Sequence, residues 1–351
     1  MDHPGQTAII VVRTMSTKSI LLTGGAGYIG SHTAKALAQA GLNPVVLDDL
    51  SAGHRHAVKW GPLMIGDMGD EALLHSIFEC YQIEAVVHFG AHAYVRESMQ
   101  DPGKYFYNNV VKSLSLLRAM QHSGVRQIVF SSSCATYGQP SQVPISEDHP
   151  LIPANPYGET KLFIERALYW YSRVHDMRSV SLRYFNAAGA DPDGEIGEDH
   201  HPETHLIPTA LQIGIGSRLS MPIYGTDFPT PDGTAIRDFV HVSDLADAHF
   251  RALCYLQSGG PTVSLNLGTG CGYSVREVIQ AVERVSGRRI SALDSPREPG
   301  DPAVLVASAD RARKALDWQP KYRSLDALIA TAWRWQLQNA IKSTGIRRDG
   351  P

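Results

Sequence analysis

The segment Thr23-Gly24-Gly25-Ala26-Gly27-Tyr28-Ile29-Gly30 constrains this chain more than any other. It follows the apolar run Ser19–Thr23 and opens a helical pattern, so its glycines fall between a strand and a helix. Gly25, Gly27 and Gly30 satisfy G-x-G-x-x-G, and Gly24, Gly27 and Gly30 satisfy the wider spacing G-x-x-G-x-x-G. Such glycines let the backbone turn tightly and let a pyrophosphate approach the amides, while the helix N-terminus offers oriented N–H groups. About 20 residues on, Asp48-Asp49 closes the next apolar run, where an acid bonds an adenosine ribose. A carboxylate there repels a 2′-phosphate, so NAD is expected rather than NADP. Asp67, closing the third run, is placed either to reach the adenine or to cap its strand.

The rest of the chain supplies the sheet that such a loop needs. Apolar runs at Ser19–Thr23, Pro44–Asp48, Leu63–Ile65, Ala85–Phe89, Ile128–Ser131 and Ser179–Tyr184 alternate with helical patterns at Ser31–Ala40, Glu71–Cys80, Asn108–His122 and Tyr157–His175. Strands without polar alternation are buried on both faces. The fold expected is α/β: a Rossmann-type, doubly wound parallel sheet followed by a smaller α+β C-terminal substrate domain. We expect NAD binding in 17–186 and substrate binding in 187–345, with segments near 237–268 packing back on the first domain. Past Asn186 the chain turns loop-rich, with a helix at Ile207–Ile215, a helix at Asp244–Leu256, a strand at Val263–Leu267 and a helix at Ser274–Ser286. Loops this long in a compact enzyme usually bind something. Residues 1–16 read as a disordered extension, a misassigned start or a strand extension, because Met15 opens "MSTKSILLTGG".

Charge and cysteine content narrow the function classes. With 32 basic and 35 acidic residues the net charge is −3, and no basic run marks a nucleic-acid footprint. No apolar run approaches the ~20 residues of a membrane span. The four cysteines lack metal-ligand or disulfide spacing, which fits a reduced, cytoplasmic chain, with Cys80 and Cys254 read as core fillers. His200, His201 and His205 cluster in one loop; they read as loop surface or as lining near the substrate, and no metal is expected, since hydride chemistry needs no Lewis acid.

The chemistry falls on Tyr157 and Lys161, four apart at the start of a helix and therefore one turn apart on one face. An ammonium beside a phenol, with the positive charge of an oxidised nicotinamide, lowers the phenol's ordinary pKa of about 10 toward a usable general base. Ser131-Ser132-Ser133 ends the preceding strand, where a serine can hydrogen-bond an alcohol under oxidation.

Together "TGGAGYIGSH", "HFGAHAYVRES", "NNV", "SSSCATYG", "NPYGETK", "RYFNAAGADPDGEIGE" and "DGTAIRDFVHVSDLADAH" resemble the extended short-chain dehydrogenase/reductases, and among them the UDP-glucose (galactose) 4-epimerase family. The likeness runs over roughly residues 18–335. It implies that a tightly held NAD takes a hydride from C4 of a UDP-sugar and returns it to the other face of a 4-keto intermediate. Tyr157 is then the acid/base, Lys161 tunes it and holds the nicotinamide ribose, and Ser133 bonds O4. The implied cofactor contacts are Gly24, Gly27, Tyr28, Ile29, Gly30, Asp48, Asp67, Phe89, Asn109, Tyr157, Lys161 and Tyr184, although a structural role for Asn109 is as well supported. For the UDP-sugar, Asn186 and Arg237 match diphosphate contacts, and a guanidinium forks onto phosphate oxygens. Tyr224 matches a uracil-stacking ring, Leu206 an apolar contact and Asp301 a ribose contact. Glu298 stands where the family carries a diphosphate arginine, so Arg297 is expected to take that role. Aliphatic Val304-Leu305 replaces a bulky tyrosine, which would open the pocket to N-acetylated sugars.

UDP-xylose/UDP-arabinose and UDP-GlcNAc 4-epimerase stay open beside UDP-glucose, as does, from another class, a non-catalytic NAD-binding sensor. A dehydratase is disfavoured because "SSSCA" carries no Asp-Glu pair. A homodimer is implied by resemblance, and the apolar faces of Asn109–Met120 and Leu162–Tyr171 are compatible with one.

Overall fold

The computed structural model describes residues 18–298 and 300–344; the expectation for residues 1–16 lies outside them. The first part alternates β1 (Ser19–Thr23), α1 (Tyr28–Gln39), β2 (Asn43–Asp48), β3 (Leu63–Ile65), α2 (Glu71–Tyr81), β4 (Ile83–His88), α3 (Val95–Gln100), α4 (Pro102–Tyr105), α5 (Lys112–His122), β5 (Gln127–Ser133), α6 (Pro156–His175) and β6 (Arg178–Tyr184). Then follow β7 (Asn186–Ala188), α7 (Leu206–Gly214), β8 (Met221–Tyr224), β9 (Ile236–His241), α8 (Val242–Gln257) and β10 (Val263–Leu267). The chain continues with β11 (Gly272–Ser274), α9 (Val275–Ser286), β12 (Ala292–Ser295), β13 (Val304–Leu305), α10 (Asp310–Leu316) and α11 (Leu325–Thr344).

Seven parallel strands form the main sheet in the order β10-β6-β5-β4-β1-β2-β3. The order reverses between β1 and β4, and a crevice opens there at the carboxyl ends of the strands, where ligands bind in such sheets. The two-residue period sends neighbouring side chains to opposite faces. Ile20 and Leu22 of β1 therefore join the apolar layer under α1 and α8, while Leu21 joins the layer under α2, α5 and α6. Both layers are buried, which is why the strands are apolar without alternation.

Within 237–268, the part after β9 runs back to this sheet: α8 lies beside α1, and β10 pairs with β6 from Val263↔Val180 to Leu267↔Tyr184. The smaller part is built on β9, which pairs with β7 and β13 in parallel and β11 antiparallel, with β8 and β12 as a separate parallel pair. A third apolar cluster, from α7, α9 and α11, covers it.

Two readings need correction. The helix expected over Asn108–His122 begins as a wider π turn, Phe106–Val111, before α5. Its local cue is absent from the apolar spacing, since tertiary contacts of Asn109 fix it. Cys80 and Cys254 are exposed, not core fillers: each lies on the outward face of its helix, while Leu74, Ile77 and Phe78 of α2 and Leu253 and Leu256 of α8 face inward.

Candidate active site

The cofactor loop is shaped by close approach. Gly24 has φ +69°, and a Cβ there would stand 2.6 Å from the Gly90 nitrogen. Gly27 caps α1 without any side-chain hydrogen bond, so the first amides of that helix face the crevice with no side chain upon them. These residues fit a dinucleotide pyrophosphate. Asp48, buried at the end of β2, accepts N–H bonds from Ala26 and Leu50, both at 2.9 Å. Burial raises its carboxyl above the ordinary value despite those two donors. Asp67 is capped by the Gly69 amide at 2.8 Å and paired with Lys112 at 2.7 Å, so the strand-end role is already in place.

The reacting end is built by β5 and α6. Asn155 accepts the Gly158 N–H and Pro156 occupies the first turn, which fixes where α6 starts. Gly158 lets that turn press on the segment after β5; a Cβ would meet the Ala135 carbonyl oxygen at 2.5 Å. The Tyr157 phenol is thereby brought beside the Ser133 hydroxyl. One turn on, the Lys161 ammonium donates to the Ser131 carbonyl at 2.8 Å, with the Phe130 and Tyr157 rings 5.0 and 5.8 Å away. Ser133, Tyr157 and Lys161 thus meet at one edge of the sheet, beside the crevice. The protein alone does not lower the phenol as expected: burial pushes Tyr157 up to about 12, and the Ser133 hydroxyl only partly offsets this. Burial also brings Lys161 down to about 7 against the pull of Glu165.

Around this group the other expected cofactor residues also make contacts within the fold. Asn109 is buried, accepting from the His92 amide at 2.8 Å and donating to the His92 carbonyl at 3.0 Å and the Thr160 hydroxyl at 3.1 Å. Its amide ties the loop after β4 to α6. The Tyr184 hydroxyl is hydrogen-bonded to Ser131, and Phe89 packs 4.7 Å from the His249 ring. Tyr28 donates from its hydroxyl to the Gly189 carbonyl at 2.6 Å, joining the cofactor loop to the second part. Ile29 lies in the first turn of α1 and packs on the sheet core.

The half expected to take substrate carries charge pairs that are exposed at Arg96 and Arg297 and mostly buried at Arg237. Arg237 on β9 pairs with Asp301 at 2.6 Å. Tyr224 closes β8, and Arg96 of α3 lies 5.1 Å from its ring centroid while pairing with Glu298. Arg297 turns instead to Asp227 at 2.5 Å and lies over Phe228. Asn186 opens β7, opposite Phe239, and Leu206 is the first residue of α7. Sequence reasoning missed Arg96, although it stands in the quoted segment "HFGAHAYVRES". It also missed the buried Arg183–Glu165 pair, which with Ser132, Tyr137 and Ser264 braces β5, β6 and α6. An arginine inside an apolar run was the available signal.

Residues 20–268 match the model of the NAD dependent epimerase/dehydratase family. The chain belongs to that family. Within it, the chain is 50% identical over 318 residues to a UDP-glucose 4-epimerase of Lacticaseibacillus casei, covering 90% of this chain and 96% of that one. A solved UDP-glucose 4-epimerase from Brucella ovis in complex with NAD is 48% identical, with a TM-score of 0.88 over 90% of this chain and 98% of that one. The UDP-Glc/GlcNAc 4-epimerase of Campylobacter jejuni is 40% identical, with a TM-score of 0.79 over 92% of this chain and 99% of that one. The NAD dependence and the Rossmann-type sheet expected from the glycine loop agree with this family. Among the described residues no helix is long and apolar enough to cross a membrane.

Proposed function

We propose that the chain interconverts UDP-glucose and UDP-galactose by inverting C4 of the sugar, as a cytoplasmic homodimer with NAD held in the β1/β4 crevice. The observation that carries the reading is the meeting of Tyr157, Ser133 and Lys161 at the sheet edge that also bears the cofactor loop. Bound NAD supplies a hydride acceptor and donor, and its oxidised ring adds the positive charge that brings the Tyr157 phenol down. The Tyr157 oxygen takes the O4 proton as the alcohol becomes a ketone and gives it back on the return step. Ser133 holds O4 within reach of that oxygen. Lys161, fixed by the Ser131 carbonyl, favours the phenolate.

Arg237 is suited to the diphosphate and Asp301 to the ribose, once their mutual ion pair opens. Arg297 shares the β12–β13 loop with Asp301, Asn186 opens β7 beside β9, Leu206 starts α7, and Tyr224 offers a ring for the uracil. Exposed Phe163, Tyr169 and Trp170 of α6, with Tyr107 and Val111 of the π turn before α5, form the apolar face that a second copy would cover. The experiment is incubation of the purified chain with UDP-glucose, UDP-galactose, UDP-xylose, UDP-arabinose and UDP-GlcNAc, without added NAD. Interconversion of the first two is expected; no interconversion of any, with cofactor confirmed bound, overturns the reading.

Val304 and Leu305 favour a wider range. As β13 they pair with Ile236 and Arg237 of β9 and bring aliphatic side chains to the strand that carries Arg237. Turnover of UDP-GlcNAc would follow, and its failure while UDP-glucose reacts would sink that extension.

A further inference from the structure

The loop leading into α7 brings two glutamates and two histidines to one point, apart from Tyr157 and Lys161. The Glu198 and Glu203 side chains are 7% and 4% exposed, and His200 is 21% exposed. His205 Nδ1 lies 2.8 Å from Glu198 Oε1 and 3.0 Å from Glu203 Oε1. His200 Nδ1 lies 3.2 Å from Glu198 Oε1 and 3.8 Å from Glu203 Oε2. One donor atom from each of the four residues falls within 4.8 Å of the others. In a tetrahedral zinc site with bonds of about 2.0–2.1 Å, ligand atoms stand roughly 3.4 Å apart. The observed separations bracket that spacing.

His200 adds a second observation. Its Nδ1 is sealed from solvent and lies 3.2 Å from Glu198 Oε1 and 3.8 Å from Glu203 Oε2, yet no well-aligned hydrogen bond joins it to either. A nitrogen that is close to an oxygen but not aimed at it fits two ligands facing a common centre. Two carboxylates with two neutral imidazoles also leave a charge that one divalent cation cancels. We propose that Glu198, His200, Glu203 and His205 bind a single divalent transition-metal ion, with zinc the best match to this nitrogen and oxygen set.

Four protein ligands fill a tetrahedral shell, so the ion is structural, and water for chemistry has no position on it. The surroundings fit that role. Glu203 Oε1 also accepts the Thr204 and His205 amides, both at 2.8 Å, which orients the carboxylate. The Tyr94 ring lies 6.3 and 6.2 Å from the two imidazoles, and Tyr28 packs 6.3 Å from His200. His205 directly precedes α7, and Tyr28 opens α1. The ion therefore fastens the start of the substrate helix against the cofactor loop.

The competing state holds protons instead. The Glu198 and Glu203 carboxylates outweigh burial and lift His200 to about 9 and His205 to about 10, giving two ion pairs with no metal. The untagged full chain, treated with chelator and dialysed, separates the two states on titration with zinc chloride. Bound metal is read by mass spectrometry, released protons by pH-stat and Tm by calorimetry. We expect about one zinc per chain, proton release on binding and a Tm raised by several degrees. His200→Ala, His205→Ala and the size-conserving Glu203→Gln should each weaken zinc binding at least tenfold and abolish the Tm gain. Cobalt in place of zinc should give the visible absorption of a four-coordinate ion. His54→Ala/His56→Ala removes a neighbouring group with Asp199 and should leave uptake unchanged. Absence of zinc-dependent Tm change in the parent, or equal uptake by His200→Ala/His205→Ala, overturns the proposal.

Discussion

The two ends of the binding crevice are held by opposite means. At the reacting end, Ser133 and Lys161 are buried, Tyr157 is half-buried, and all three are placed by strand register and the capped start of α6. At the substrate end, Arg237, Arg96 and Arg297 each stand paired with a carboxylate, at Asp301, Glu298 and Asp227. The first region is dry, and its groups are shifted toward neutrality. The second is more open at Arg96 and Arg297 and already charge-compensated, so on the proposed function a diphosphate exchanges with carboxylates that are there before it. On that reading, catalytic geometry is a property of the fold, and affinity a balance of exchangeable ion pairs.

That contrast can be broken at either end. The largest effect belongs to Tyr157→Phe, which removes the proton acceptor and should lower kcat by about 10²–10⁴ while UDP binding, followed by calorimetry, stays close to the parent. Next comes the brace behind the site. Arg183→Met leaves Glu165 buried and unpaired, so denaturant unfolding should show a loss of about 3–5 kcal/mol. At the substrate end Arg237→Ala should raise KM about 10–100-fold with kcat much less affected, the value of a hydrogen bond to a charged group. The smallest change has the opposite sign: Glu298→Gln frees Arg96 and should improve UDP binding by about 2–5-fold, an exposed pair being worth at most about 1 kcal/mol.

Acid sharpens the same comparison, because the dry region also holds neutral imidazoles. Burial lowers His88 to about 3, where it lies 2.6 Å from the Thr23 hydroxyl and 2.8 Å from that of Ser113. Between pH 6.5 and 3 the unfolded chain binds a proton that the folded chain refuses. Stability therefore falls as pH falls through that window, by at most about 1.4 kcal/mol per pH unit for this group. His88→Gln should flatten the acid limb of a stability–pH curve; an unchanged slope would contradict the assignment.

The strength of the sequence signals divides along the same line. The sheet, the glycine loop and the Tyr157/Lys161 pair are set by local spacing: apolar runs, φ-demanding glycines, an i,i+4 pair behind Asn155-Pro156. Arg96 reaching Tyr224 and Glu298 crosses the chain by more than a hundred residues, and no periodicity encodes such a contact. Asn109 reads equally as a ligand contact and a brace because one amide can serve either, and its bonds to His92 and Thr160, which supply the brace, exist only in the fold. The phenol's expected drop rests on the nicotinamide charge as well as Lys161, and the burial that both must outweigh depends on what packs over Tyr157 and not on its neighbours in sequence. Of the histidines in the α7 loop, His201 and His205 are exposed, as the loop position suggested, while His200 is largely buried beside Glu198 and Glu203, whose burial no apolar signature marks.

The central claim is that one hydride leaves C4 and returns to it within the closed site. Deuterium placed at C4 of UDP-galactose tests it most directly. The product UDP-glucose should keep the label at C4 in ordinary water, with no steady growth of absorbance at 340 nm. Loss of the label to solvent, or stoichiometric accumulation of reduced cofactor, would contradict the account.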